Sequence, residues 1–412
     1  MKNLYLLIFN LFAFVVFSQT VTTFAGSSQG YADASGIASK FDSPSGVCPD
    51  NNGNLYVADR YNHKIRKIVI ATGVVSTFAG STSGYADGTG ILAKFSEPFA
   101  ICFDNMGNLY VADYQNHKIR KIVISTGAVS TVAGSTPGYL DGIGSSAKFN
   151  YPTGLCCDLN GANIYVVDNG NYRIRKIEIA TNTVSTVAGS TQGLSNGVGS
   201  NANFYDPFGI CTDFTNLYVA DGQNNDIRKI NLSTGVVTTF ATGFSGLAYG
   251  ICIDYNGFLY VSDVSIKKID LTTASVSILA GSATGFSDGV GASAQFYYPI
   301  GLCVAGTNLY VADSRNNKIR KVTLPTLNIQ ENEITQAILI YPNPNNGKFS
   351  IKSNNEIVNQ VNIYSLDGKL IFSQNINTVN PEFSLESVSK GTYLATVTLE
   401  NGSERRSKIV IE

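Results

Sequence analysis

The chain has no tryptophan and only two histidines and two methionines among its 412 residues. Charge of one sign is lacking too, since 29 basic side chains face 30 acidic ones. A nucleic-acid ligand calls for a basic surplus that neutralises phosphates, so no nucleic-acid partner is expected. Walker and His-Glu-x-x-His patterns are absent, and so are the cysteine pairs at short spacing that mark a zinc site. Long apolar runs are confined to the start. Met1-Lys2-Asn3 precedes a mostly apolar stretch from Leu4 to Phe17. One lysine followed by a short apolar run has the form of a secretory signal peptide (residues 1–18), with a cut after Ser18. The run is short for a bilayer span and no other segment is apolar enough, so the mature chain is expected to have no transmembrane span.

What is present points to strands and turns. Hydrophobic residues make up 44% and charged residues 14%, enough apolar material for a packed core. Glycine (40) and the ring residues Tyr and Phe (22 each) are abundant. That mixture suits many short strands joined by tight turns.

The strands come in repeats. Asn54-Leu55-Tyr56-Val57-Ala58-Asp59 recurs in six versions starting at residues 54, 108, 163, 216, 258 and 308. Each unit has a version of the Pro-x-Gly-Val/Ile-Cys segment Pro44 to Cys48, with Ala248 in place of the proline in the fifth, then the Leu-Tyr-Val-Ala-Asp segment. Lys64-Ile65-Arg66-Lys67-Ile68 and Val74 to Gly80 complete the first copy. Four β-segments per unit, separated by Gly, Asn and Asp turns, fit a propeller blade. The chain from Gln19 opens with a fourth-strand sequence, Thr20 to Gly26, that has no blade before it. The sixth unit lacks its own fourth strand after Val322. The N-terminal strand is therefore expected to complete the last blade and close the ring, which removes open sheet edges.

Pro-x-Gly-Ile/Val, Asp-x-x-Gly-Asn-Leu-Tyr-Val-Ala-Asp and Asn-His/Asn-Lys-Ile-Arg-Lys, six times in register, resemble the NHL repeat over residues 20 to about 324. The resemblance implies a six-bladed β-propeller (residues 19–324) used as a binding platform. Enzymes that resemble NHL propellers, such as the amidating lyases, hold metals with histidines near the central channel. Here His63 and His117 occupy one turn position whose equivalents are Tyr172, Asn225 and Asn317, so they read as structural. No catalytic role is expected. The competing reading is a metal-dependent extracellular hydrolase or lyase that uses loop carboxylates.

Long blade-to-blade loops carry the first group of candidate ligand-binding residues: Tyr31 and Asp33, Tyr85 and Asp87, Tyr139 and Asp141, Phe286 and Asp288. Leu194 and Asn196 are the counterparts in the remaining loop. These loops are expected to build up one face, with a notch at the short connection from Ala241 to Gly250 as the ligand's way in. The same residues also have a purely structural reading, as turn caps and as packing of each loop on its blade. Ca²⁺ is the one cation that this oxygen-rich set would suit, although the spacing is not that of an EF-hand loop. No other cofactor is expected. The second group comes from one variable position in the first segment: Ser45, Phe99, Thr153, Phe208, Tyr249 and Ile300. Its variation within a regular repeat suggests the lining of the central opening, with Phe99, Phe208 and Tyr249 as candidates; filling between blades is the alternative.

Six of the seven cysteines, Cys48, Cys102, Cys156, Cys211, Cys252 and Cys303, share one place in the repeat, and Cys157 is extra. Equivalent positions in adjacent blades are expected to lie beyond disulfide reach, so the cysteines read as small buried hydrophobes. The Lys/Arg pairs of the Ile-Arg-Lys segments read as solvated or salt-bridged strand charges.

After a polar linker (residues 325–335) the repeat stops. Residues 336–412 alternate apolar and polar, and Asp367-Gly368 marks a hairpin, so a small antiparallel β-sandwich is expected. Tyr341-Pro342-Asn343-Pro344, a late Gly391-Thr392-Tyr393 and the ending Lys408-Ile409-Val410-Ile411-Glu412 resemble the type A C-terminal sorting domain of the type IX secretion system. That resemblance implies the type IX machinery as a partner and a secreted or outer-surface location. The chain is therefore read as an all-β exported binding protein, with an extracellular polysaccharide or protein as its ligand.

Overall fold

The computed structural model describes residues 19–324 except 159 and 255, and residues 339–411 except 344, 354–355, 366–369, 386–387 and 401–403. The expected signal peptide, linker and Asp367-Gly368 hairpin turn lie outside the described residues. The chain divides into two compact units after Thr326. Among the described residues the only helical pieces are single 3-10 turns, and no helix is long and apolar enough to cross a membrane.

The first unit is a six-bladed propeller. In its first blade Pro44–Pro49, Asn54–Asp59, Lys64–Val69 and Val74–Ala79 pair antiparallel in chain order. Asp50 shapes the first turn, because its carboxylate accepts from the backbone N–H groups of Asn52 and Asn54 at 2.8 and 3.1 Å. Blades pack on both faces of the second strand, so five of the six residues in Asn54–Asp59 are buried, not every other one. The core therefore lies between blades. Tyr56 and Ala58 of the first blade pack with Ile101, Leu109 and Val111 of the second. Each such fully buried apolar side chain contributes roughly 1.5–3 kcal/mol.

The ring closes as the repeat implies. Thr20–Ala25 joins the sixth blade beside Lys318–Thr323, with Val21 opposite Val322 and Thr23 opposite Arg320. Tyr310, Ala312 and Ile319 of that blade share a buried cluster with Val47, Leu55 and Val57 of the first. The first strands crowd around the axis. A Cβ on Gly46 would come within 2.8 Å of the Phe99 carbonyl oxygen, and one on Gly301 would collide with that of Ser45. Glycine is needed there for close approach of backbones.

Five blades have a fifth strand that the four-segment reading does not contain. Each long loop adds two residues, such as Ala34–Ser35 on Val74–Ala79, to the outer edge of the blade it enters. The fifth blade, reached through the short connection, has four strands only.

The second unit has a three-stranded sheet (Leu339–Tyr341, Lys348–Lys352, Glu382–Ser384) and a four-stranded sheet (Val358–Ser365, Leu370–Thr378, Gly391–Leu399, Glu404–Ile411). Both contribute to one core, in which Ile351 and Phe383 meet Val361, Ala395 and Ile409. The two ends of this unit are stitched together. The Asn343 side chain accepts from the Val410 N–H at 2.8 Å, and the Asn345 N–H donates to the Val410 carbonyl at 2.9 Å.

Candidate functional site

The long loops turn out to be partners of a buried arginine. Arg66 is fully buried and donates to Asp59 at 2.7 Å, to the Lys40 and Ala32 carbonyls, and to Asp33 of the loop. The Tyr31 ring covers the guanidinium at 4.9 Å and its hydroxyl meets Thr77 at 2.9 Å. Arg120 with Asp87 and Tyr85, Arg175 with Asp141 and Tyr139, and Arg320 with Asp288 and Phe286 repeat the arrangement. Asp288 also accepts from the Thr23 N–H and so fastens the closing strand. In the fourth blade Asn196 replaces the aspartate at 2.8 Å from Arg228. The fifth blade lacks the loop, and there Lys267 replaces the arginine, 3.7 Å from Asp263. Loop and arginine are thus one device, present or absent together.

This revises two expectations. The strand arginines are salt-bridged but not solvated: two carboxylates compensate the buried guanidinium in four blades, and Asp221 with the Asn196 side chain does so for Arg228. The eight loop candidates, Tyr31, Asp33, Tyr85, Asp87, Tyr139, Asp141, Phe286 and Asp288, are not brought together; each pair serves the outer half of its own blade. For the same reason the loop carboxylates do not form a shared Ca²⁺ cage. Among the described residues no three His, Cys, Asp or Glu side chains are placed to hold a metal ion.

The second group converges. First strands of all six blades line a central depression with an empty volume of about 450 Å³ including solvent-open space. The variable position divides by size. Ser45 and Thr153 are buried and hydrogen-bond carbonyls of the next blade, Ser45 to Phe99 at 2.7 Å and Thr153 to Phe208 at 3.1 Å. The rings Phe99, Phe208 and Tyr249 meet over the opening. Phe208 lies 5.1 Å from Tyr249, and Tyr249 lies 5.8 Å from Tyr298.

The rings continue outward through residues that repeat reasoning did not single out. Tyr114 lies 5.6 Å from Phe99, Tyr151 is 4.8 Å from Tyr114, and Tyr297 is 5.6 Å from Tyr298. Arg60 sits 5.2 Å above both Phe99 and Tyr114 and pairs with Glu97 at 2.6 Å. Apart from Tyr297, which lies two residues before Pro299, the missed residues come from two further variable places. One is the residue after the Val-Ala-Asp strand, Arg60 or Tyr114. The other is the residue before the blade's proline, Glu97, Tyr151 or Tyr298. The variability that singled out Phe99 marks these as well. Glu97, Tyr151 and Tyr298 hold positive φ angles of 52–53°. A side chain in that left-handed region costs about 1–2 kcal/mol.

The charged groups beside these rings are the Arg60–Glu97 pair, Arg315 at 5.9 Å from the Tyr298 ring, and Asp206, whose charge acts on Tyr114 and Tyr249. Burial, then the nearby Tyr298, pushes the Tyr249 phenol up to about 12. Burial also raises Tyr114. Both hydroxyls stay protonated at neutral pH and are able to donate as well as accept. His63 and His117 hold the backbone of the collar. Each has a left-handed backbone, and its Nδ1 accepts from the N–H of Glu97 or Tyr151 at 3.1 Å. Asn317 does the same for Ser43 at 2.9 Å.

Comparison with known proteins agrees with this architecture. The NHL repeat family matches residues 41–68 and 149–177, and the secretion system C-terminal sorting domain family matches residues 339–412. The chain is 28% identical over 310 residues to Protein SUPPRESSOR OF QUENCHING 1, chloroplastic, of Arabidopsis thaliana, covering 66% of this chain and 29% of that protein. It is 29% identical over 308 residues to human NHL repeat-containing protein 2, covering 62% of this chain and 42% of that protein. It thus spans less than half the length of these relatives. A structural-genomics protein of unknown function from Bacteroides thetaiotaomicron shares the fold with a TM-score of 0.58 at 20% identity, covering 74% of this chain and 76% of that one. The sorting domain addresses the chain to the type IX machinery and so to the cell surface or the extracellular space. Repeats, closed ring and tail together identify the chain as an NHL-repeat β-propeller protein with a C-terminal sorting domain of the type IX secretion system.

Proposed function

We propose that the propeller is an extracellular binding module that holds a polysaccharide across the aromatic collar at its central opening. The observation that carries this reading is the unbroken line of rings from Tyr151 through Tyr114, Phe99 and Phe208 to Tyr249 and Tyr298. Sugar rings offer C–H faces that stack on such rings, and hydroxyls that Arg60, Glu97 and the phenols would hydrogen-bond. Tyr151, Tyr297 and Tyr298 are 36–49% exposed, so their rings are open to a ligand. The short connection from Ala241 to Gly250 contains Tyr249, so the notch it leaves would open onto the collar.

The test is a glycan array probed with the chain from Gln19 onward, beside a Phe99→Ala/Tyr114→Ala/Phe208→Ala variant. Binding by the parent alone, with equal melting temperatures, supports the site. Equal binding by both forms moves the site elsewhere. Silence on the array, with capture of a protein by the parent only, keeps the collar and replaces the ligand class.

A further inference from the structure

Cys157 breaks the repeat. At its position the other blades have Pro49, Phe103, Thr212, Ile253 and Val304. Its Sγ lies 3.2 Å from the Sγ of Cys102, which is 55 residues earlier in the preceding blade. This is the one sulfur–sulfur contact recorded among the described residues, and all seven cysteines are free thiols there. Cys48, at the neighbouring junction, faces a blade with Phe103 at the corresponding place, and its thiol donates to the Pro49 carbonyl instead. A cysteine therefore replaces a residue of another type where a second sulfur is within reach.

We propose that Cys102 and Cys157 form a disulfide once the exported chain meets an oxidising compartment. Disulfide sulfurs sit about 2.05 Å apart, so closure needs an approach of roughly 1 Å, within the reach of small χ1 rotations. Cys157 is half-buried and Cys102 buried, which assigns the order of events. The Cys157 thiolate attacks a disulfide-bearing thiol oxidant, forms a mixed disulfide and releases one oxidant thiol. Cys102 loses its proton and attacks the Cys157 sulfur, and the second oxidant thiol leaves. Two electrons and two protons pass to the oxidant. The product ties the second blade to the third, the blades that bear Phe99, Tyr114 and Tyr151. The inference rests on the two sulfurs alone and stands whatever the collar binds.

The experiment takes the reduced chain from Gln19 onward and incubates it, folded, with oxidised glutathione. It is then denatured, alkylated and digested with trypsin without reduction. Two of the seven cysteines should resist alkylation, and peptides 95–118 and 149–173 should appear linked. Cys156→Ala should keep the link, Cys157→Ser should lose it, and the chain collected from an exporting host should carry it. Alkylation of all seven after native oxidation, or a link through Cys156, overturns the proposal. Fragmentation of the linked peptides of the parent protein decides this even where a variant fails to fold.

Discussion

Phe99 of the second blade and Phe208 of the fourth stack with ring centroids 6.3 Å apart, reaching past Thr153 of the blade between them. The threonine makes the contact available, because it is small and turns its hydroxyl into the Phe208 carbonyl. One small residue thus lets two large ones roof the opening.

If this roof holds the ligand, Phe208→Ala should weaken glycan binding by roughly 0.5–1.5 kcal/mol per lost stacking contact, about twofold to twelvefold. Titration calorimetry with the best array hit measures this. Tyr31→Ala, remote from the opening, should leave the affinity unchanged.

The two carboxylates on Arg66 should differ in weight. Asp59→Ala leaves a fully buried guanidinium without its buried partner and should cost about 3–5 kcal/mol. Asp33 is 41% exposed, so water can replace it, and Asp33→Ala should cost about 1 kcal/mol or less. Urea unfolding of the two variants tests the order.

Acid should act through His63 and His117. Burial holds both imidazoles below their ordinary range, and in each Nδ1 must stay unprotonated to accept its hydrogen bond. Below pH 6.5 the unfolded chain takes up protons that the folded chain refuses, so stability present above that pH is lost as pH falls. The His63→Asn/His117→Asn variant keeps an acceptor of the kind that Asn317 supplies and removes the titration. Its melting temperature should fall less between pH 7 and pH 5 than the parent's.

Removing Thr20–Ala25 should open the ring, since Val21 is fully buried against the last blade. The expected result is a lower melting temperature and faster trypsin cleavage at Arg320 and Lys321, read by mass spectrometry.

Export should depend on the tail. Deleting residues 339–412 should leave the propeller inside the cell envelope, where fractionation would find it. Unchanged extracellular levels would remove the tail's sorting role.

The blades, their number, the closing strand and the sorting tail could be read from the chain itself. Each is written in local sequence: β-rich segments between turns, repeated six times, with a fourth-strand sequence moved to the front. The tail's opening and closing motifs are also local, although only folding shows Asn343 holding Val410. The arginine of Ile-Arg-Lys, by contrast, cannot be recognised as buried, because its two carboxylates stand 7 and 33 residues before it and meet it only when the loop folds back on the blade. The collar and the Cys102–Cys157 contact are further from local reading. They join residues of different blades, and which side chains meet is decided by closure of the ring and by the size of the residue in between. Sequence by itself determined the repeating sheets, because strand pairing within a blade needs only its own β-rich segments and turns. Tertiary structure alone decided which rings meet, because packing blade against blade around one axis is what brings distant variable positions within contact.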